Sequence, residues 1–201
     1  MRRTAALVVV LVGALRPSPA EAQVCMRPDP ADRCLIYPIT DVTVSAALAD
    51  TYLDRHLDLA TQLGFLVNAS PHLALGPAFF VGAYLDGGWH SQLGVNARLR
   101  INLPPLPPGP FPAGLHLDLT PGLILADSPP PDGIAGYSGE LAVAFRDWVS
   151  LSTRVDVTRR IFEEQQVAWL LGLRAGSYPG LALSALGLIS GGLGYLWSRM
   201  E

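Results

Sequence analysis

From residue 57 to residue 173 the chain alternates between apolar side chains and polar or small ones. Leu57, Leu59, Leu63, Phe65 and Val67 interleave with Asp58, Ala60, Gln62 and Gly64. The same rhythm returns over 73–85, 89–103, 115–125, 137–145, 149–157 and 167–173. A period of two is the signature of extended strands with one apolar and one polar face. An eighth, weaker strand sets Val42, Val44, Ala46 and Leu48 against Thr43, Ser45 and Ala47, and a helix over 41–54 competes with it. These runs exceed the usual strand of ~5–6 residues and match the ~9–11 residues of a tilted strand that crosses a membrane. Turn-forming residues separate them. The expected fold is all-β: an up-and-down antiparallel transmembrane β-barrel of about eight strands over 40–178, closed so that no edge is left unpaired.

Alternation alone does not say which face looks inward. A soluble carrier puts its apolar face around a cavity, whereas a membrane barrel turns it toward lipid. Only 15% of the residues are charged, and all 14 basic residues are Arg. A water-facing surface wants mixed charges at about 25–35%. The polar face here mixes Gly and Ala with isolated Arg, Asp, Glu, Gln and Asn, which suits a cramped interior. Aromatics stand near the strand ends: Trp89, Tyr137 and Trp169 toward one rim, Phe65 and Phe145 toward the other. Lipid-facing bands carry aromatics at both interfaces. The apolar face is therefore expected outside.

The ends of the chain add an address. Residues 1–22 start with Arg2 and Arg3, continue through an apolar stretch and end at Ala20-Glu21-Ala22, the anatomy of a cleaved secretory signal peptide. The apolar stretch is shorter than the ~20 residues of a spanning helix. Residues 23–39 then form a short N-terminal segment before the barrel. Export into an oxidising compartment suggests a local disulfide between Cys25 and Cys34. Lipidation at Cys25 is disfavoured because no small residue precedes it. Residues 179–198 carry no charge, and Gly180, Ser184, Gly187, Gly191, Gly194 and Ser198 recur at helical spacing. An apolar helix is expected over 179–201, with a Gly-rich last strand as the competing reading. Its small-residue stripe suits packing on the barrel wall, or pairing with a second copy through Gly187, Gly191 and Gly194.

With these features the chain resembles the small, about eight-stranded outer-membrane barrel proteins of Gram-negative bacteria, over residues 40–178. The resemblance rests on pattern rather than on a motif. It implies an outer-membrane location and short turns on the periplasmic side, where the N-terminal side of the chain also lies. Two departures stand out. The connection over 104–112 is long and Pro-rich on that side, and the chain ends Ser198-Arg199-Met200-Glu201 rather than in an aromatic.

Hairpin arithmetic proposes neighbours on the polar face. A loop centred near 108 sets Arg98 against Asp118 and Arg100 against His116. A turn at 147 sets Glu140 against Arg154, with Asp58, Asp156 and Arg174 nearby. Turns at 87 and 70 gather His90, Tyr84 and His56 at one rim. Charges inside so narrow a barrel must pair or meet trapped water, so the network reads as structural, with a switching ion path as the sharper reading. The rim histidines are too far apart for one metal ion, and no metal or cofactor is expected. No phosphate loop or nucleophile elbow occurs, so no enzyme is expected. A net charge of −3 argues against nucleic acid. The expected role is structural or interactive in the cell envelope, with outer-membrane lipid as partner. A small pore and a soluble lipocalin-like binder are the alternatives.

Overall fold

The computed structural model describes residues 23–24, 34–50, 57–70, 72–85, 89–103, 114–127, 135–145, 148–159, 165–176, 180 and 182. The strands are β1 (Gln23–Val24), β2 (Cys34–Asp50), β3 (Leu57–Ser70), β4 (Leu73–Leu85), β5 (Trp89–Asn102), β6 (Leu115–Asp127), β7 (Gly136–Phe145), β8 (Val149–Arg159) and β9 (Gln165–Ala175). Each of β2 to β9 pairs antiparallel with the next, and β9 returns to β2, so eight strands close into an up-and-down barrel. β1 lies parallel to the first residues of β2, Gln23 opposite Cys34 and Val24 opposite Ile36.

The registers fix the stagger. A step sideways from Pro38 leads to the level of Phe65, Pro77, Ala97, Pro121, Gly139, Val155 and Trp169, and returns to β2 at Ala49. That is eleven residues above the start, one of them the extra residue where the register shifts between Ala47 and Ala49. With ~3.3 Å per residue and ~4.8 Å between strands, an offset of about ten residues tilts the strands by about 40°, inside the usual 35–45°.

Parity sorts the side chains as the alternation requires. Leu59, Leu93, Leu141, Leu151, Leu171 and Leu173 are exposed on the outside, with Phe79 reaching 63% exposure. Asp58, Gln62, Arg98, Asp118, Glu140 and Asp156 are buried on the inside. Leu63 is also outward. A carrier with Leu63 and Leu93 around a central cavity is therefore not what this chain builds.

Four expectations need correction. Residues 34–39 belong to the wall, because β2 starts at Cys34 rather than near 40. The competing helix over 41–54 gives way to the same strand, which is paired on both sides. The β5–β6 register is shifted by two residues: Arg100 faces Asp118 and Asn102 faces His116. Pro104 to Pro112 carry no defined turn type, so the hairpin centre was not readable from them. Likewise Asp58, not His56, faces Tyr84.

The predicted apolar helix over 179–201 finds no support. Only Gly180 and Ala182 of it are described, and no helix among the described residues is long and apolar enough to cross a membrane. Its stripe at Gly187, Gly191 and Gly194 lies outside the described residues. So do His56, Cys25 and, with Cys25, the disulfide to Cys34.

Candidate functional site

The lumen is built by strands that each send every second side chain inward. Asp118 is at its centre, with no solvent exposure. Arg100 donates to it twice, from Nε to Oδ1 at 2.8 Å and from Nη2 to Oδ2 at 3.0 Å. Arg174 donates from Nη2 to Oδ2 at 2.6 Å, and Arg98 Nη1 lies 3.6 Å from the same oxygen. Three guanidinium groups thus converge on one carboxylate from β5 and β9. Two further acids complete the group. Asp41 pairs with Arg98 and lies 3.8 Å from Arg174, and Glu140 accepts from Arg174 Nη1 at 3.3 Å. Three arginines meet three carboxylates, so this cluster is neutral as a whole.

Neutral side chains extend it. Gln62 donates to Glu140 Oε2 at 2.7 Å and accepts from Arg98 Nη2. Arg174 Nε donates to Ser150 Oγ at 2.8 Å. His116 is buried 3.9 Å from Asp118. The Arg100 guanidinium stands 5.8 Å from the centre of the Tyr37 ring, a cation–π contact.

A second cluster lies nearer the opposite rim. Arg154 Nη2 donates to Asp58 Oδ2 at 2.7 Å and to Asp156 Oδ2 at 3.0 Å. Glu140 and Arg154 face each other across β7 and β8 as the turn arithmetic predicted. Yet Arg154 bonds to the two aspartates, while Glu140 is held by Gln62 and Arg174. Closer to the rim, Tyr84 OH donates to Asp127 Oδ1 at 2.7 Å, and the Tyr84 and His90 rings stack with centroids 5.2 Å apart. His72 is exposed at the turn between β3 and β4 rather than in the lumen.

The sequence reading missed Asp41, Gln62 and Asp127 as members. Asp41 lay inside the expected first strand, on the polar face with Thr43 and Ser45, and was not singled out because no hairpin arithmetic gave it a partner. Gln62 lies on the polar face, and only its lack of charge hid it. Asp127 has the parity of an outward residue. A register shift opposite Leu93 and Gly94 turns it inward, and no residue type announces that shift.

The interior also holds apolar side chains, beside buried polar ones such as Gln92, Asn96 and Thr120. Tyr37, Ile39, Leu66, Ala74 and Ala78 form one buried cluster, and Phe80, Ile124 and Ala135 another. An eight-stranded barrel has just room for such a filling.

Outward, exposed Tyr137 and half-buried Phe145 stand eight residues apart on β7. At ~3.3 Å per residue and a tilt of about 40°, they bound a band about 20 Å tall, close to the ~25 Å of membrane barrels. The wall is of the transmembrane type. No family model matches the chain, and comparison with curated proteins gives no match. Among solved structures, a chain described as "De novo design of transmembrane beta-barrels" is similar at 13% identity and a TM-score of 0.38, over 69% of this chain and 93% of that one. That likeness is too loose to add weight, and the class rests on the two faces of the wall.

Among the described residues no group of three or more His, Cys, Asp or Glu is arranged to hold a metal ion.

Proposed function

We propose that this chain is an outer-membrane β-barrel with a plugged lumen, exported through a cleaved signal peptide. It acts as a structural element or interaction scaffold of the envelope. The observation that carries this reading is the neutral cluster of Arg98, Arg100 and Arg174 with Asp41, Asp118 and Glu140. It joins β2, β5, β6, β7 and β9 across the lumen. Charges so placed brace opposite walls and fill the path that an ion would need. The reading assigns the chain no catalytic chemistry and no cofactor. Its partner is outer-membrane lipid along the outer face, with a second copy of the chain as a further candidate.

Planar-bilayer recording on the folded, purified protein tests the plug. The expected result is a silent membrane with the folded barrel present. Steady unit conductance would replace the plug with a pore. Fractionation tests the address: the protein is expected in the outer-membrane pellet after a carbonate wash, and recovery in the soluble periplasm would reject it.

A further inference from the structure

The ladders around the wall lapse in two places among the described residues. Between β3 and β4 the pairing stops at Gly64–Ala78 and resumes at Val67–Leu75. Between β5 and β6 it stops at Asn96–Gly122 and resumes at Leu99–Leu119. A proline lies in each gap, Pro77 in the first and Pro121 in the second, and proline has no N–H to give to a ladder.

The two gaps are not equally secured from within. Arg100 and Asp118 face each other across the β5–β6 seam and are doubly bonded. The inner side of β4 carries no charge at all: it consists of Ala74, Gly76, Ala78, Phe80, Gly82 and Tyr84. The tie across the β3–β4 gap comes from a third strand. Arg98 of β5 faces Gly76 and reaches beyond β4 to bond to Gln62 of β3 and Asp41 of β2.

We propose that the wall opens sideways at the β3–β4 seam, and that Arg98 is the latch that keeps it shut. This goes beyond the plugged lumen, which concerns passage along the axis. The lining behind the seam favours this seam over others. At the gap, parting β3 from β4 brings Leu66, Ala74 and Ala78 toward hydrocarbon, and the one charge among the described residues on the inner side of this seam, Asp58, lies toward its far end, held by Arg154. Parting β6 from β7, or β8 from β9, would bring Asp118, Glu140, Arg154 or Arg174 there, a costly exposure.

Amide hydrogen exchange on the folded protein in lipid nanodiscs tests the latch. In the unmodified chain, the amides of Phe65 and Leu75, which point across the seam, are expected to exchange faster than those of Leu93 and Val95 on β5. Arg98→Met keeps the aliphatic stem and removes the bonds. It is expected to speed exchange at the seam about tenfold, in line with the loss of charge-assisted hydrogen bonds, and to leave Leu141 and Leu151 unchanged. Gln62→Met removes the far end of the tie and gives the same result should Arg98→Met not fold. A disulfide between Leu63→Cys and Phe79→Cys, which face each other across the seam, is expected to abolish the fast exchange. Seam amides as slow as those of β5 would overturn the proposal, as would a uniform rise over all strands in both variants.

Discussion

At the scale of single residues, the lumen concentrates its risk in a few groups. Asp118 is bonded to Arg100 and Arg174 and lies close to Arg98. Asp118→Asn keeps the shape and removes the charge that those guanidinium groups share. Breaking a buried pair from one side costs about 3–5 kcal/mol, and urea unfolding of the folded barrel should show a loss of that order. Gly76 is a different kind of dependency. A Cβ there would overlap the Phe65 carbonyl oxygen, so Gly76→Ala must push β3 and β4 apart. The expected loss is about 1–3 kcal/mol, read from the same titration. Gly76 was visible in the sequence only as a member of the small face, and Asp118 only as the partner of Arg98. That Asp118 is the hub depends on a register two residues away from the one that the hairpin arithmetic gave.

Among elements, the alternation told almost everything about β3 to β9. Leu57, Leu93, Leu141 and Leu171 were set on one face by parity, that face was assigned outward by composition, and they are exposed there. A strand with one buried face tolerates no slip, since a shift by one would reverse every side chain. What parity does not encode is where neighbouring strands come into step. The sequence over 104–112 is rich in proline and names no single turn centre, and the shift near Gly94 reverses the parity of Asp127. β2 was harder still, because Cys34, Ile36 and Pro38 lie in a stretch broken by two prolines, Pro30 and Pro38. Lipid contact can be tested on one strand. Leu141→Arg puts a charge on the outer side of β7 and should cost about 2–4 kcal/mol if it lies near the bilayer midplane. Unfolding from lipid vesicles would measure it, and a neutral outcome would mean that this side of β7 meets water.

For the whole molecule, charge and shape work in opposite compartments. Among the described residues the ionic groups are enclosed and the outer wall is apolar, so salt has little to screen there. Raising ionic strength from ~0.1 M to ~1 M shortens the Debye length from about 10 Å to about 3 Å, yet the urea midpoint contributed by the buried clusters should hardly move after correction for the general salting effect. A marked drop would show that water and ions reach the arginines. Fold class and lipid-facing side were thus legible from composition and period. Of the ion pairs, Arg98 with Asp118 was legible, and the two groups lie 3.6 Å apart; partners such as Arg98 and Asp41, on β5 and β2, were not, because they meet only once the barrel closes.

One rim of that closed wall is uneven. β2 has 17 residues and β9 has 11, and β9 ends beside Val42, leaving the first eight residues of β2 without it. Val42, although it points outward, is only 8% exposed, and a Cβ on Gly180 would overlap the Thr40 carbonyl oxygen, so Gly180 lies in the step. A bilayer of constant thickness cannot match both sides of such a ledge. Headgroups beside β8 and β9 must sink, or the cylinder must lean, and the leaflet at this rim is thinnest where the first and last wall strands meet.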